Sequence, residues 1–144
     1  MQQLGVTPCS LEELVERSDA ISIHVPYTPQ THHLFDAERI GKMKPTAVLV
    51  CTARGNIIDE DALYEALKAR KIAGAALDVF SVEPLPVPSR LTELDNLILT
   101  PHVASQTVEA IWAVYKKAID IAADFFAGKP LEKADLLNPD YNAG

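Results

Sequence analysis

The 144-residue chain contains 20 acidic and 13 basic residues, a formal net charge of −7, and no cluster of lysine or arginine. This charge argues against nucleic acid and anionic membranes as partners, and no apolar stretch is long enough to span a bilayer. Apolar residues make up 48% of the sequence, which is typical of a soluble globular domain with a buried core. Because residues 1–8 lack a signal-peptide pattern, we expect a cytoplasmic location.

The first predicted elements are a helix and a strand. Ser10 and Glu13 have the spacing of a capping box, which predicts a helix over about 11–18. The apolar run Ala20–Val25 then predicts a strand, which ends at Pro26 because proline cannot donate a hydrogen bond to a sheet.

The same alternation continues through the middle of the chain. Asp36 is predicted to cap a short helix that ends near Ile40, and Ala47–Cys51 is the second predicted strand. Asp59 is predicted to cap a helix that continues to about Lys71. Acidic residues in its first turn and basic residues in its last turn both suit the helix dipole.

The last predicted elements complete a regular α/β pattern. Ala73–Val79 and Asn96–Thr100 are the third and fourth predicted strands, and a long helix is predicted over 105–127, with Gly128 as its stop. Apolar strands that alternate with helices indicate a parallel sheet covered on both faces. The sequence therefore predicts the α/β doubly wound, Rossmann-like class.

Charged residues follow the predicted strands at the points where they end. Arg54 follows the second strand, Asp78 and Glu83 the third, and His102 the fourth. Each residue alone is typical of a solvated loop or turn. Because parallel strands end at one edge of a sheet, we expect the four side chains to share one crevice. His24 is expected to pack at a strand end, and His32 and His33 to be solvated.

Three segments, TARGNIIDEDAL, GAALDVFSVEP and TPHVAS, resemble signatures of a known family. They are similar, in order and spacing, to the C-terminal signatures of the D-isomer-specific 2-hydroxyacid dehydrogenases, which include phosphoglycerate, glyoxylate/hydroxypyruvate and D-lactate dehydrogenases. The similarity extends from about residue 10 to 138. It implies an NAD(P)-dependent oxidoreductase that interconverts a D-2-hydroxy acid and a 2-oxo acid by hydride transfer.

The resemblance implies a catalytic set of Arg54, Glu83 and His102. Reduction of a 2-oxo acid needs a proton donor beside the carbonyl oxygen, and His102 suits that role because histidine titrates near neutral pH. Glu83 would orient the imidazole and favour its charged form. Arg54 would hold the substrate carboxylate through its planar, permanently charged guanidinium.

The resemblance also implies a nicotinamide cofactor, NAD in preference to NADP. Asp78 would face the nicotinamide ring and its carboxamide. The other positions that match residues lining the cofactor are Val25, Pro26, Thr31, Thr52 and Ala53. No metal is expected, because the two cysteines, Cys9 and Cys51, lie far apart without a C-x-x-C or a histidine ladder.

The sequence departs from the family at its front. None of its six glycines forms the G-x-G-x-x-G pattern that holds the cofactor pyrophosphate. We expect residues 1–144 to be the C-terminal portion of an NAD-binding domain, without the first strands or a separate substrate domain, and therefore poorly active. The open sheet edge at Ala20–Val25 favours pairing with another chain, so we expect a homo-oligomer.

Two alternatives remain open. One is a non-catalytic NAD-sensing or scaffold protein of the same fold, like the related corepressors, and the other is a degenerate domain with only an interaction role. The presence of Arg54, Glu83 and His102 argues against the first. Which 2-hydroxy acid is the substrate is left open by the sequence.

Overall fold

The chain divides into two compact units. The computed structural model describes residues 5–138, and the boundary between the units lies between Ala104 and Ser105. We call residues 5–104 the sheet unit and residues 105–138 the helical unit.

The sheet unit is built on four parallel strands. They are β1 (Ala20–Ile23), β2 (Val48–Cys51), β3 (Gly74–Leu77) and β4 (Leu97–Leu99). Their spatial order is β1-β2-β3-β4, with Ile21 beside Leu49, Leu49 beside Ala75 and Ala75 beside Leu97. The predicted parallel α/β fold is confirmed. β1 lies at one edge of this sheet, as expected of the first predicted strand.

Three α-helices of the sheet unit begin at side-chain caps that the sequence indicates. They are α1 (Leu11–Arg17), α2 (Ala37–Lys42) and α3 (Glu60–Lys68), and a short 3-10 helix covers Arg90–Glu93. Ser10 and Glu13 form the predicted capping box. Asp36 and Asp59 accept hydrogen bonds from the first backbone amides of α2 and α3. The last of these helices ends before Lys71, because the backbone at Arg70 is left-handed with φ of 53°.

Within the sheet unit, one face of the sheet is buried. Residues alternate along each of the first three strands, so that Ile21, Leu49 and Leu77 are buried in the core whereas Ser22 and Val48 are exposed. Within the sheet unit alone, helices therefore cover one face of the sheet. The buried face packs on apolar residues of the three helices, among them Val15, Ile40, Leu63 and Leu67.

The helical unit contains one long helix, α4 (Val108–Phe126), and a short 3-10 helix over Lys133–Asp135. Thr107 caps α4 by accepting a hydrogen bond from the backbone amide of Ala110, so the helix begins slightly later than predicted. No residue of α4 is buried, and Trp112 is 68% exposed. Within residues 5–138, no helix combines the length and apolar character needed to cross a membrane.

Candidate active site

The loops that follow the strands enclose a cleft of about 750 Å³ at the carboxyl edge of the sheet. Its lining residues are His24, Val25, Pro26, Tyr27, Ala53, Arg54, Gly55, Asn56, Phe80, Ser81, Glu83 and His102. Of the four side chains predicted to share one crevice, Arg54, Glu83 and His102 line this cleft. The prediction is wrong for Asp78, which is buried and is not a lining residue.

Glu83 and His102 form a direct pair in the cleft. One carboxylate oxygen of Glu83, Oε2, lies 2.7 Å from Nδ1 of His102. The other, Oε1, accepts a hydrogen bond of 2.9 Å from the backbone amide of Phe80. The hydrogen bond with His102, the Phe80 amide and the charges of His102 and Arg54 together lower the pKa of Glu83. Glu83 is therefore held as an anion beside the imidazole.

Arg54 lies at the mouth of the same cleft. Its exposed guanidinium donates one hydrogen bond, from Nη1 to the carbonyl oxygen of Ala53 at 2.6 Å. The neighbouring Gly55 packs so closely on the loop after β3 that an added Cβ would overlap the carbonyl oxygen of Phe80. The close packing at Gly55 fixes the arginine-bearing loop against the loop that carries Glu83.

Asp78 is 3% exposed and lies beneath the loop that carries His102. Its oxygens accept hydrogen bonds from the hydroxyl of Thr100, the amide of Val103 at 2.9 Å and the amide of Ala104 at 2.8 Å. Burial is the largest single effect and acts to raise the pKa of Asp78, but the three hydrogen bonds and the charge of His102 together lower it. The carboxylate thus anchors a loop in which His102 itself has a left-handed backbone, with φ of 55°.

The predicted cofactor-lining residues divide into two groups. Val25, Pro26 and Ala53 line the cleft, whereas Thr31, Thr52 and Asp78 are not among its lining residues. The hydroxyl of Thr31 lies 2.7 Å from the amide of Thr28 and 2.8 Å from the carbonyl oxygen of Pro26, so it shapes the turn that carries Pro26. A contact between any of these residues and a cofactor stays a prediction.

The structure also adds lining residues that the sequence analysis missed. Tyr27 directly follows Pro26 and Asn56 lies two residues after Arg54. This proximity along the chain was the only available signal. The expectation that His24 packs at a strand end is wrong. His24 is exposed and lines the cleft, because the alternation that exposes Ser22 also exposes the residue two positions later. Its Nε2 lies 2.7 Å from the hydroxyl of Ser22.

Metal chemistry gains no support from the described part of the chain. Among residues 5–138, no three or more histidine, cysteine, aspartate or glutamate side chains cluster in a way that could hold a metal ion. Cys51 is buried and Cys9 is exposed, and both are free.

A parallel sheet with charged loops at its carboxyl edge defines a Rossmann-like nucleotide-binding class of domain. Residues 1–104 match the family model described as "D-isomer specific 2-hydroxyacid dehydrogenase, NAD binding domain". The chain belongs to this family, which confirms the resemblance inferred from its three signatures.

Individual relatives are consistent with the family assignment. Glyoxylate reductase of Thermofilum pendens is 57% identical over 100 residues, which cover 69% of this chain and 30% of that protein. Glyoxylate/hydroxypyruvate reductase B of Enterobacter agglomerans is 44% identical over 131 residues, which cover 91% of this chain and 40% of that protein. The chain therefore spans well under half the length of these curated relatives.

Solved structures share the fold. A D-lactate dehydrogenase from Sporolactobacillus matches with a TM-score of 0.82 and 33% identity, over 88% of this chain and 42% of that chain. D-lactate dehydrogenase from Aquifex aeolicus, complexed with NAD and lactic acid, matches with a TM-score of 0.75 and 38% identity, over 83% and 40%.

Proposed function

We propose that the chain is the C-terminal, catalytic portion of the NAD-binding domain of a dehydrogenase that interconverts a D-2-hydroxy acid and a 2-oxo acid. The observation that carries this proposal is the Glu83–His102 pair at 2.7 Å, which shares a cleft with Arg54. A paired imidazole, a carboxylate and a guanidinium are the groups that this reaction needs in one place.

His102 is the proton donor in the direction of 2-oxo acid reduction. Its Nδ1 is held by Glu83, so its other ring nitrogen, Nε2, is the atom that exchanges a proton with the substrate oxygen. Glu83 is the positioning partner, because its carboxylate holds the imidazole ring in place through Nδ1. In the direction of oxidation the same nitrogen accepts the hydroxyl proton.

Arg54 binds the substrate carboxylate. A guanidinium has five N–H donors in a planar fork, and within residues 5–138 Arg54 donates one of them to a protein oxygen, the carbonyl of Ala53. The remaining donors suit a two-pronged contact with a carboxylate, which a lysine ammonium cannot reproduce. Arg54 thereby holds the 2-oxo group within reach of His102.

The residues of the cleft fit a nicotinamide group, which would supply or accept the hydride when bound. Val25, Pro26 and Ala53 form an apolar wall beside Arg54 and His102, and a flat ring beside an anionic acid suits that combination. Thr31 and Thr52 would contribute from the flanking loops. Asp78 would support the carboxamide end of the ring by anchoring the loop that carries His102, through its hydrogen bonds to the amides of Val103 and Ala104.

We propose NAD as the preferred cofactor and a small 2-oxo acid, such as glyoxylate or hydroxypyruvate, as the substrate. The names of the relatives from Thermofilum pendens and Enterobacter agglomerans support this substrate class. We also propose that the protein is a homo-oligomer, because β1 is an edge strand of the described sheet.

A chimeric enzyme tests the proposed function. The 131 residues that match glyoxylate/hydroxypyruvate reductase B of Enterobacter agglomerans replace their counterparts in that enzyme, and NADH-dependent reduction of glyoxylate and hydroxypyruvate is measured. We expect turnover that His102→Ala lowers by about 10²–10⁴-fold, with a smaller loss for Glu83→Gln. His32→Ala is the matched control, because His32 is exposed and is not a lining residue of the cleft. A folded, NADH-binding chimera whose turnover is insensitive to His102→Ala would refute the mechanism. One that binds NADH without any turnover would favour the sensor alternative.

A further inference from the structure

We propose that Glu60 is a positioning residue that keeps Glu83 within hydrogen-bond distance of His102. It does so by binding the loop between β3 and Glu83, an interaction that we call the clamp. This inference rests on the proposed function, which makes that pair the working pair of the site. Glu60 is the first residue of α3, and both of its carboxylate oxygens bind one residue of the loop. Oε1 accepts from the backbone amide of Ser81 at 2.5 Å, and Oε2 accepts from the hydroxyl of Ser81 at 2.8 Å.

The clamp acts on the turn that aims Glu83. Ser81 lies directly after Phe80, whose backbone amide donates to Oε1 of Glu83 at 2.9 Å. This hydrogen bond from the main chain of Phe80 to the side chain of Glu83 closes a turn over residues 80–83. We therefore expect the four residues to move together. A displacement of Ser81 would carry the Glu83 carboxylate away from Nδ1 of His102, which it meets at 2.7 Å.

The same turn also packs closely against Gly55. Gly55 lies against the carbonyl oxygen of Phe80 with no room for a Cβ. Such a contact prevents the turn from moving closer, but it does not prevent the turn from moving away. Glu60 supplies the missing restraint, because hydrogen bonds that a carboxylate accepts are stronger than neutral ones.

Glu60 is not needed to cap its own helix. Asp59 already accepts hydrogen bonds from the backbone amides of Asp61 and Ala62 at the start of α3. Asp61 itself pairs with Arg90. The side chain of Glu60 instead reaches a loop 21 residues further along the chain, so its role is between elements rather than within α3.

The pKa of Glu83 reports whether the clamp positions the pair. In the 144-residue chain, the Glu83 carboxyl carbon is followed by NMR through an acid titration, for the parent and for Glu60→Ala. We expect the substitution to raise the pKa of Glu83, because the turn relaxes and the hydrogen bonds that lower this pKa are weakened. A direct charge effect has the opposite sign, since removing a negative neighbour lowers the pKa of a carboxyl.

Three further variants complete the test. Glu60→Gln keeps one acceptor oxygen, so the pKa of Glu83 should rise less than in Glu60→Ala. Ser81→Ala keeps the amide bond and loses only the hydroxyl bond, so it should give a small rise and remains informative if Glu60→Ala fails to fold. Glu65→Ala is the matched control, because Glu65 is an exposed acid on the same helix.

The outcomes are distinct. A raised Glu83 pKa in Glu60→Ala and a smaller rise in Ser81→Ala, with Glu65→Ala unchanged, would support the positioning role. An unchanged or lowered Glu83 pKa in folded Glu60→Ala would overturn it, as would an unchanged value in Ser81→Ala if Glu60→Ala is unfolded. The titration requires neither cofactor nor substrate. A chimera that binds NADH but shows no turnover would therefore count against the proposed function without affecting this result.

Discussion

Two amphipathic helices of this chain have opposite surroundings. The nine-residue α3 of the sheet unit buries Leu63, Tyr64, Ala66 and Leu67. The 19-residue α4 of the helical unit buries none of its residues. Both helices carry side-chain caps and an apolar stripe, so their local sequence signals are similar. The difference shows that an apolar stripe predicts a face able to be buried, whereas burial itself requires a partner surface.

Truncation of one aliphatic side chain in each helix should give the largest contrast in stability. Leu63 is 0% exposed, so we expect Leu63→Ala to lower the free energy of unfolding by about 2–5 kcal/mol through lost contacts and a cavity. Ile119 on α4 is 66% exposed, so Ile119→Ala should change that free energy by less than about 0.5 kcal/mol. Urea denaturation followed by far-ultraviolet circular dichroism measures both. Equal losses would show that α4 is covered in solution.

Glycine substitutions should separate close packing from open space within the sheet unit. A Cβ at position 55 would overlap the backbone of Phe80, so we expect Gly55→Ala to destabilise the protein by about 3 kcal/mol as the loop is displaced. Gly41 lies in α2 with nothing within 4 Å of an added Cβ. Gly41→Ala should instead stabilise by about 0.5–1 kcal/mol, because alanine is the better helix former. The two melting temperatures should therefore move in opposite directions.

Aspartate-to-asparagine substitutions should show how burial determines the contribution of a carboxylate to the free energy of unfolding. Asp78→Asn replaces one acceptor oxygen by a donor, which leaves a loop amide without its partner and should cost about 1–3 kcal/mol. Asp120 on α4 pairs with Lys116 on an exposed surface, so Asp120→Asn should cost no more than about 0.5 kcal/mol. Thermal unfolding of the two variants at neutral pH measures the difference. A cost for Asp120→Asn that matched Asp78→Asn would contradict this assignment.

Acidic and basic groups should lose their contributions to stability at opposite ends of the pH range. The pKa values of Asp78 and Glu83 are lowered in the folded state. Their contribution to the free energy of unfolding is therefore fully present above their unfolded-state pKa values, and it is lost as the pH falls through their folded-state pKa values. Hydrogen bonds with Asp135 and Asp124 raise the pKa values of Lys117 and Lys129 in the helical unit. The contribution of these two lysines to the free energy of unfolding is fully present below their unfolded-state pKa. It is lost as the pH rises through their folded-state pKa values. It should be small because these lysines are exposed.

Circular dichroism at graded pH would follow both losses. Glu83→Gln should flatten the acid side of the stability curve and leave the alkaline side unchanged. An acid limb that kept its full slope in Glu83→Gln would show that other carboxyls determine it.

A substitution on the exposed face of α4 should alter self-association of the chain and have the smallest effect on its free energy of unfolding. The exposed apolar side chains of α4 and the open edge at β1 both favour contact between chains. We expect Ile119→Lys to reduce the concentration dependence of the sedimentation coefficient while shifting the free energy of unfolding by less than about 0.5 kcal/mol. A monomeric parent chain at all concentrations would remove the basis of this prediction.

The fold and the cleft were largely predictable from sequence because their signals are local. Caps at Ser10, Asp36 and Asp59 and four short apolar runs are enough to indicate a parallel α/β sheet. Parallel strands then place their following loops at one edge, which brings Glu83 to His102 although 19 residues separate them. No long-range information beyond the topology rule was required.

Other features were not predictable because they depend on neighbours that a local pattern does not specify. Both faces of a strand can be apolar in sequence while only one finds a partner, and here Ile98 remains 67% exposed. The bond between Glu60 and Ser81 joins residues of two elements whose side-chain directions are set by tertiary packing. Likewise, nothing in the sequence near Asp78 indicates that its carboxylate turns towards the amides of Val103 and Ala104.

The position of the single tryptophan has an optical consequence. Trp112 lies on α4 and is 68% exposed, whereas Tyr64 is buried in the core of the sheet unit. Indole emission should therefore be red-shifted in the native protein and should report the helical unit alone. Melting of the core should instead be seen in the near-ultraviolet signal of tyrosine. If the two transitions do not coincide, a two-state treatment of this chain is invalid, and each unit needs its own unfolding curve.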